Sequence, residues 1–486
     1  MSKAKKKLRE DNRIDNWSYL WMAMFTAAGF LFFNVFYSFF GELPLKVFDA
    51  VIIVGLLGGL IYSKWKKTDS ERKTIYVILL ISIVLRLYYI ITTSGTTMSG
   101  PDYDTFCSVQ ENLTLPEAFQ PLYYIVAAFI YNTMALTEFT AAYSLDIVRA
   151  ATEFMGIVAA IAVYYILCEL EINDTAVYIG TGIIALHPGL IRLGGEISPL
   201  LPMFAAMCLG IMFLTRWNNF TDGFDFVFMS VSFGIATMLN MSALIFTPVI
   251  ATLVIINLVR VFKRKNAANT ISSIIQTLCG VGAWTVLCFA YPLRNMLKGS
   301  DTGLMKLLGN TSGSLDFKSK FFSFELNELL EVFVDPQDKN AWIYLVKSSV
   351  FGNLTANDIE LEFVVLQAFI AVAFACAAIS GLTVFGNMIA RIDAKKKVNV
   401  WTLIAMTGCA VGYYILQNLG STSASTMDFR VVPIILAIGV IMLCHGIKVL
   451  SMKKKLSFVS QILYLLTVIV CLAFCVGSVV YGCWFV

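Results

Sequence analysis

Charge is scarce in this sequence: only 14% of its 486 residues are Asp, Glu, Lys or Arg, where ordinary soluble domains carry about a quarter. Histidine is scarcer still. His187 and His445 are the only two, so a zinc site built wholly from side chains is not expected. There is no Cys-x-x-Cys pair, and Cys208, Cys279, Cys288, Cys376, Cys409 and Cys471 lie inside apolar runs, where they pack as small hydrophobes. They imply neither a disulfide scaffold nor a redox compartment. The net charge of +4 gives no whole-molecule basic field and excludes nucleic acid as a partner. No internal repeat is evident, so the inverted-repeat pattern of many transporters is not legible.

What is present is apolar sequence, 58% of the chain. Runs long enough, or nearly so, to cross ~30 Å of hydrocarbon lie at 17–40, 45–62, 75–93, 146–168, 175–190, 199–215, 225–240, 241–262, 271–291, 361–387, 399–418, 430–449 and 458–482. A further run lies at 118–136. The expectation is an all-α polytopic membrane protein. Its tail at 1–16, with Lys3, Lys5, Lys6, Lys7 and Arg9, places the N-terminus in the cytoplasm, ahead of a first run too long for a signal peptide.

The basic connectors Lys64–Lys73, Arg260–Lys265, Arg391–Lys397 and Lys453–Lys455 are expected to be cytoplasmic. An odd number of crossings must then separate 75–93 from Arg260, but six runs are available. The run at 118–136, which begins Gln120-Pro121-Leu122-Tyr123-Tyr124, is the one read as juxtamembrane or re-entrant. About thirteen crossings remain, with the C-terminus outside. The chain divides into the tail 1–16, two helices in 17–62, a transmembrane core 63–291 that includes a first outer loop 94–117 and the juxtamembrane helix 118–136, a large extracytoplasmic loop 292–360 and C-terminal helices 361–486. A loop of that size, carrying Arg294, Asp301, Asp316, Glu325, Asp335 and Asp338, is usually functional.

Polar residues converge on the outer face in this topology: Arg86, Asp102, Asp104, Arg149, Glu196 and Arg430, with Arg192 at the outer end of 175–190. A charge at membrane depth costs ~2.5–3.5 kcal/mol on insertion scales, so each calls for a partner or a polar cavity. Asp102 and Asp104, two residues apart, can act as general base and partner or share a cation; alternatively they are a solvated acidic loop. Guanidinium groups beside apolar helices suit a substrate with a phosphate head and a lipid tail. His187, in His187-Pro188-Gly189, reads as a helix-cap residue, with a metal or general-base role left open, and His445 as structural. The Asn-x-Ser/Thr sites at Asn112, Asn219, Asn310 and Asn353 carry no weight, because Asn219 falls on the inner side.

The order of these residues resembles the C-type (GT-C) membrane glycosyltransferases. It runs Arg86; Asp102-Tyr103-Asp104-Thr105-Phe106; Gln120-Pro121-Leu122-Tyr123-Tyr124; Arg149; His187-Pro188; Glu196-Ile197-Ser198-Pro199-Leu200-Leu201; and Phe429-Arg430-Val431-Val432-Pro433. The nearest pattern is the protein O-mannosyltransferase and aminoarabinose-transferase branch, covering roughly residues 75–215 and, more loosely, the last spans. This chain has Tyr103 where that family commonly has Glu, Gln120 where it has His or Glu, and Phe106 in place of Tyr.

The resemblance implies an inverting sugar transfer from a polyprenyl-phosphate donor to an acceptor at the outer face, the acceptor being protein, lipid or cell-wall polymer. Asp102 takes the place of the catalytic base, with Asp104 as its alternative or as the substitute for the missing Glu. Arg86, Arg149, Arg294, Arg430, Gln120, Tyr123 and Glu196 are the donor-binding candidates. Asp102, Asp104, His187 and Glu196 are the candidates for a divalent metal, or else for a water network. The expected setting is a prokaryotic plasma membrane, with membrane lipids around the site. Two readings compete with this one: a transporter or lipid flippase, and an inactive scaffold of the same fold.

Overall fold

The computed structural model describes residues 70–93, 101–112, 120–136, 143–220, 223–263, 267–298, 317–324, 329, 340–352, 363–389, 397–419, 426–453 and 458–484. The tail, the runs 17–40 and 45–62, and most of 292–360, including Asp301, Asp316, Glu325, Asp335, Asp338, Asn310 and Asn353, lie outside the described residues. Everything described is helix or connector, and no strand occurs among the described residues.

In chain order the helices are α1 (Ser70–Thr92), α2 (Pro101–Asn112), α3 (Leu122–Met134), α4 (Ser144–Glu169), α5 (Asp174–Leu186), α6 (Pro188–Gly195), α7 (Leu200–Phe220) and α8 (Gly223–Leu239). They continue with α9 (Thr247–Lys263), α10 (Ala267–Leu297), α11 (Phe317–Phe322), α12 (Ala341–Phe351), α13 (Phe363–Ile389), α14 (Lys397–Leu419), α15 (Ile434–Lys453) and α16 (Phe458–Trp484). Single 3-10 turns at Met241–Phe246 and Phe429–Val431 lead into α9 and α15.

Among the described residues nine helices are long and apolar enough to cross a membrane: α1, α4, α5 with α6, α7, α10, α13, α14, α15 and α16. They correspond to nine of the thirteen runs read from the sequence. The runs 225–240 and 241–262 form shorter apolar helices, because Asn240 caps a 3-10 turn through a bond from Ser242 N at 3.0 Å and so interrupts the helical path. The juxtamembrane candidate is helix α3. At 13 residues it spans only about 20 Å, short of the hydrocarbon thickness. It buries Tyr123, Tyr124, Ala127 and Ala128 against the bundle and exposes Ile125, Val126 and Phe129 on its other side. Helix α2 occupies what the sequence suggested was a loop; Pro101 at its first position and acidic residues in its first turn suit a helix start.

The centre of the bundle is α5, whose neighbours are α1, α4, α15 and α16. It is apolar on every side, with Ile179, Gly180, Thr181, Ile183, Ile184 and Ala185 buried, as a helix without a lipid face must be. The span from Asp174 to Gly195 is interrupted at His187, whose extended backbone (φ −63°, ψ 121°) ends α5 and precedes the Pro188 that opens α6. Proline at the next position disfavours the helical conformation at His187, which explains the break. Helix α12, from the large loop of the sequence reading, packs on α6 and α13. The Tyr414 hydroxyl lies 2.7 Å from the Ala341 carbonyl and 2.8 Å from that of Met427, joining α14 to the start of α12 and to the approach to α15.

Candidate functional site

The C-terminal ends of α1 and α6, the N-terminal ends of α4 and α7, helices α2 and α3, and the turn at Phe429–Val431 meet at one end of the bundle. Arg149 ties several of them together. Its Nε donates to the Gly195 carbonyl at 2.7 Å, and Nη1 donates to the Thr93 carbonyl at 2.9 Å and to Asp146 Oδ1 at 2.9 Å. Its Nη2 donates to the Thr93 hydroxyl. Buried, and with every guanidinium nitrogen bonded to protein, Arg149 satisfies the carbonyls that α1 and α6 leave open at their ends.

Arg86 takes a second buried place. Its Nη1 pairs with Glu153 Oε2, both side chains being almost wholly out of contact with the surface. Room for this pair comes from small residues: a Cβ at Gly156 would overlap the Arg86 guanidinium, and one at Gly194 would overlap the Glu153 carboxylate. Arg86 Nη2 and Glu153 Oε1 carry no hydrogen bond. Glu153 escaped the sequence reading, although an acidic residue within the run 146–168 is itself the signal of a functional or paired group.

Asp102 stands in the first turn of α2, partly buried. The Tyr124 hydroxyl donates to its Oδ1 at 2.6 Å and the Ser198 hydroxyl to its Oδ2 at 2.9 Å. Asp104 is exposed. Residues two apart on a helix do not face one another, so the two carboxylates that a loop would have let meet are turned to different sides. Beside Asp102, the Tyr123 hydroxyl bonds Thr152 Oγ1 at 3.1 Å. Thr152 donates its own proton to the Val148 carbonyl at 2.9 Å, which makes Tyr123 the donor. Burial first, then the Asp102 charge, push the Tyr124 hydroxyl well above the ordinary phenol range; burial does the same at Tyr123. Gln120 is buried just before α3, its Oε1 without a partner.

The third group lies two residues before Ser198. Glu196 Oε2 is 3.4 Å from Arg430 Nη1, and Arg430 Nη2 is 3.2 Å from Asp428 Oδ2. Burial works against the Arg430 charge, but the carboxylates of Glu196 and Asp428 outweigh it and raise its pKa. Arg192 lies between Glu196 and Ser348, its Nε 4.0 Å from Glu196 Oε1 and its Nη2 donating to the Ser348 carbonyl at 2.7 Å, and the Ser348 hydroxyl receives a bond from Phe429 N at 2.9 Å. These bonds fix the 428–430 turn to α12 and α6.

Behind Phe429 opens an apolar cavity of about 550 Å³ between α12, α13, α14 and α15, lined among others by Trp342, Val346, Phe374, Val411, Leu436 and Phe474. His187 closes one end, its ring stacked on that of Phe429 at 5.7 Å and tilted against that of Phe474 at 5.6 Å. Its cap position agrees with the sequence reading, and its buried Nδ1 has no partner. His445 bonds Asn387 Oδ1 at 2.8 Å within the bundle.

The structure thus brings Asp102, Tyr123 and, through Ser198, Glu196 and Arg430 to one end of the bundle. Among the described residues Arg294 is placed elsewhere. Arg294, near the end of α10, lies over the Tyr291 ring at 5.3 Å, and α10 packs mainly on α8 and α9. The proposed metal ligands do not assemble either: among the described residues no three His, Cys, Asp or Glu side chains lie close enough to hold an ion. His187 sits between aromatic rings instead. In the sequence Tyr124 and Ser198 stand only as motif neighbours without a role, and Asp428 and Ser348 are not singled out, because hydroxyls and a lone Asp carry no distinguishing pattern.

No family model matches the chain, and no curated protein matches it. Among solved structures, it is similar to the oligosaccharyltransferase of Archaeoglobus fulgidus in its apo form, with a TM-score of 0.46 and 12% identity over 86% of this chain. It is similar also to that protein in complex with Zn and sulfate, with a TM-score of 0.44 and 14% identity over 83%. The chain spans about half the length of those structures, 56% and 53%. Likeness at that level leaves the functional reading to the chain's own residues.

Proposed function

We propose that this chain is a membrane glycosyltransferase of the GT-C kind, moving a sugar from a polyprenyl-phosphate donor to a hydroxyl-bearing acceptor. The observation that carries the proposal is Asp102: its two oxygens are held by Tyr124 and Ser198, yet it keeps partial exposure; two residues from Ser198 stands the Glu196–Arg430 pair, and Phe429 beside Arg430 lines an apolar cavity. In the reaction, the acceptor oxygen attacks the anomeric carbon while its proton passes to Asp102. The bond from that carbon to the phosphate oxygen breaks, and the lipid phosphate leaves with the electron pair. Charge grows on the leaving phosphate, where guanidinium groups are worth most in the transition state.

Arg430, a third exposed on its side chain, is the group placed to meet that phosphate, with Glu196 and Asp428 as its resting counter-ions. Arg294 joins it only if the large loop carries the donor towards α10. Arg149 and Arg86 serve the frame. The cavity behind Phe429 suits part of a prenyl chain. Under the positive-inside rule this end of the bundle faces away from the cytoplasm, with the N-terminus inside, α3 along the surface, residues 292–360 as an outer loop and a prokaryotic plasma membrane as the setting.

Incubating the protein with a panel of polyprenyl-phosphate sugars, and detecting free polyprenyl phosphate by mass spectrometry, tests the reading. Release by the wild type that is lost in Asp102→Asn and kept in Asp104→Asn supports it; release that survives Asp102→Asn defeats the assigned base.

One observation favours a transporter as the second reading. The central span is broken at His187 beside a buried Arg86–Glu153 pair, as in carriers whose half-helices flank a path. Movement of the labelled donor across vesicles without release of lipid phosphate distinguishes it.

A further inference from the structure

We infer that Tyr124 and Ser198 are positioning residues that set the plane of the Asp102 carboxylate for proton transfer. The inference rests on the transferase reading above. A carboxylate has about four lone-pair directions, and a base that rotates freely offers the acceptor a changing one. Here one hydroxyl donor occupies each oxygen, at 2.6 Å from Tyr124 and 2.9 Å from Ser198. The two donors come from different elements, α3 and the 196–199 connector, so the carboxylate is spanned from both sides.

Each donor is itself fixed. Tyr124 is wholly buried, its ring meeting that of Tyr123 edge-on at 5.6 Å. Ser198 is buried on a connector with little freedom: its N–H bonds the Glu196 carbonyl at 3.0 Å, Pro199 follows, and Pro199 O accepts the Met203 N–H at 2.9 Å as α7 begins. Ahead of the connector, the Gly195 carbonyl receives Arg149 Nε at 2.7 Å. The chain of fixation therefore runs from the ends of α1 and α4, through Arg149, to Ser198 and so to Asp102. Neither hydroxyl is assigned to touch the donor. Their loss should appear in kcat, since a misplaced base costs as much as ~10²-fold while donor binding is untouched.

The test measures lipid-phosphate release with the donor that the panel identifies, for wild type, Tyr124→Phe, Ser198→Ala, Ser198→Thr and the same changes in an Asp102→Asn background. Tyr124→Phe and Ser198→Ala are expected to lower kcat by roughly 10- to 100-fold with donor KM unchanged, and Ser198→Thr, which keeps the hydroxyl, to restore most of it. In the Asp102→Asn background they are expected to add nothing to the loss, because residues acting through one group are not additive.

If Asp102→Asn is severely impaired but Tyr124→Phe and Ser198→Ala turn over like wild type, or lower the slow Asp102→Asn rate by the same factor as they lower the wild-type rate, the inference fails and the transferase reading stands. If Asp102→Asn turns over normally, or no donor releases lipid phosphate, the reading itself fails and takes the inference with it. The unfolding midpoint of each variant in detergent separates these results from loss of fold; Tyr124→Phe and Ser198→Thr each change only a few atoms.

Discussion

Glu196 and Arg430 face each other at 3.4 Å across 234 residues of sequence, the one at the end of α6 and the other in the turn before α15. Both side chains are about a third exposed, so their attraction is screened, and an incoming phosphate can displace it. Glu196→Gln is accordingly expected to tighten binding of undecaprenyl phosphate severalfold, and Arg430→Gln to weaken it by about tenfold. Equilibrium binding to detergent-solubilised protein reads both. Equal affinity of the wild type and both variants would show that the lipid phosphate binds elsewhere.

The Arg86–Glu153 pair answers to a different balance. Removing one partner strands the other charge out of water, so Glu153→Ala is expected to cost ~3–5 kcal/mol of stability, whereas Arg86→Met with Glu153→Leu should recover most of it. Gly156→Ala, which puts a methyl into the space of the guanidinium, is expected to destabilise in the same direction. Unfolding in mixed micelles measures all three.

Arg149→Lys conserves charge and should nevertheless fail as a replacement. A single ammonium cannot reach Gly195 O, Thr93 O, the Thr93 hydroxyl and Asp146 from one position. A lowered melting temperature, together with a fall in kcat at unchanged donor KM, is the expected signature. Full activity in Arg149→Lys would mean that the 196–199 connector is held by other bonds.

Tyr123 and Tyr124 give a pH dependence whose sign is set by their raised pKa values. The unfolded chain releases these phenol protons near the ordinary value of 10.0, before the folded chain does. Their contribution to stability is thus complete below about pH 10 and is lost progressively above it. Titrating tyrosinate absorbance in the folded protein should show no ionisation from these two up to that pH. A normal phenol titration of Tyr124, obtained as the difference from Tyr124→Phe, would contradict the buried contact with Asp102.

Much of the architecture was legible in apolar run lengths, because a helix that crosses hydrocarbon has to be long and uncharged. Among the described residues nine runs are helices long and apolar enough to cross a membrane, for that reason. Run length was less informative at Asn240, where one capping side chain divides a continuous apolar stretch, and at Pro101, which starts a helix in a segment too polar for the same test. The ionisable residues were visible one by one, yet their partners were not. Arg149 looks like an anion clamp in the sequence; only the fold reveals that three carbonyls and two side chains already occupy it. Asp102 stood out by its charge, whereas Tyr124 and Ser198 bear common side chains whose meaning depends on α3 and the start of α7 arriving at the same carboxylate.

Gly189 lets the backbones of α6 and α12 touch: a Cβ there would run into the Ser349 carbonyl, which is main chain and cannot swing aside. A few residues on, Gly352 ends α12 with φ at 66°, against the Arg192 guanidinium, where any side chain would be strained and crowded. The C-terminal end of the segment 341–351 is consequently keyed to α6 by two positions that tolerate no added atom, while the Tyr414 hydroxyl bonds its first residue, Ala341. The last turn of this helix is therefore expected to move with the second half of the broken central span, and its backbone amides to exchange with solvent as slowly as those of α6.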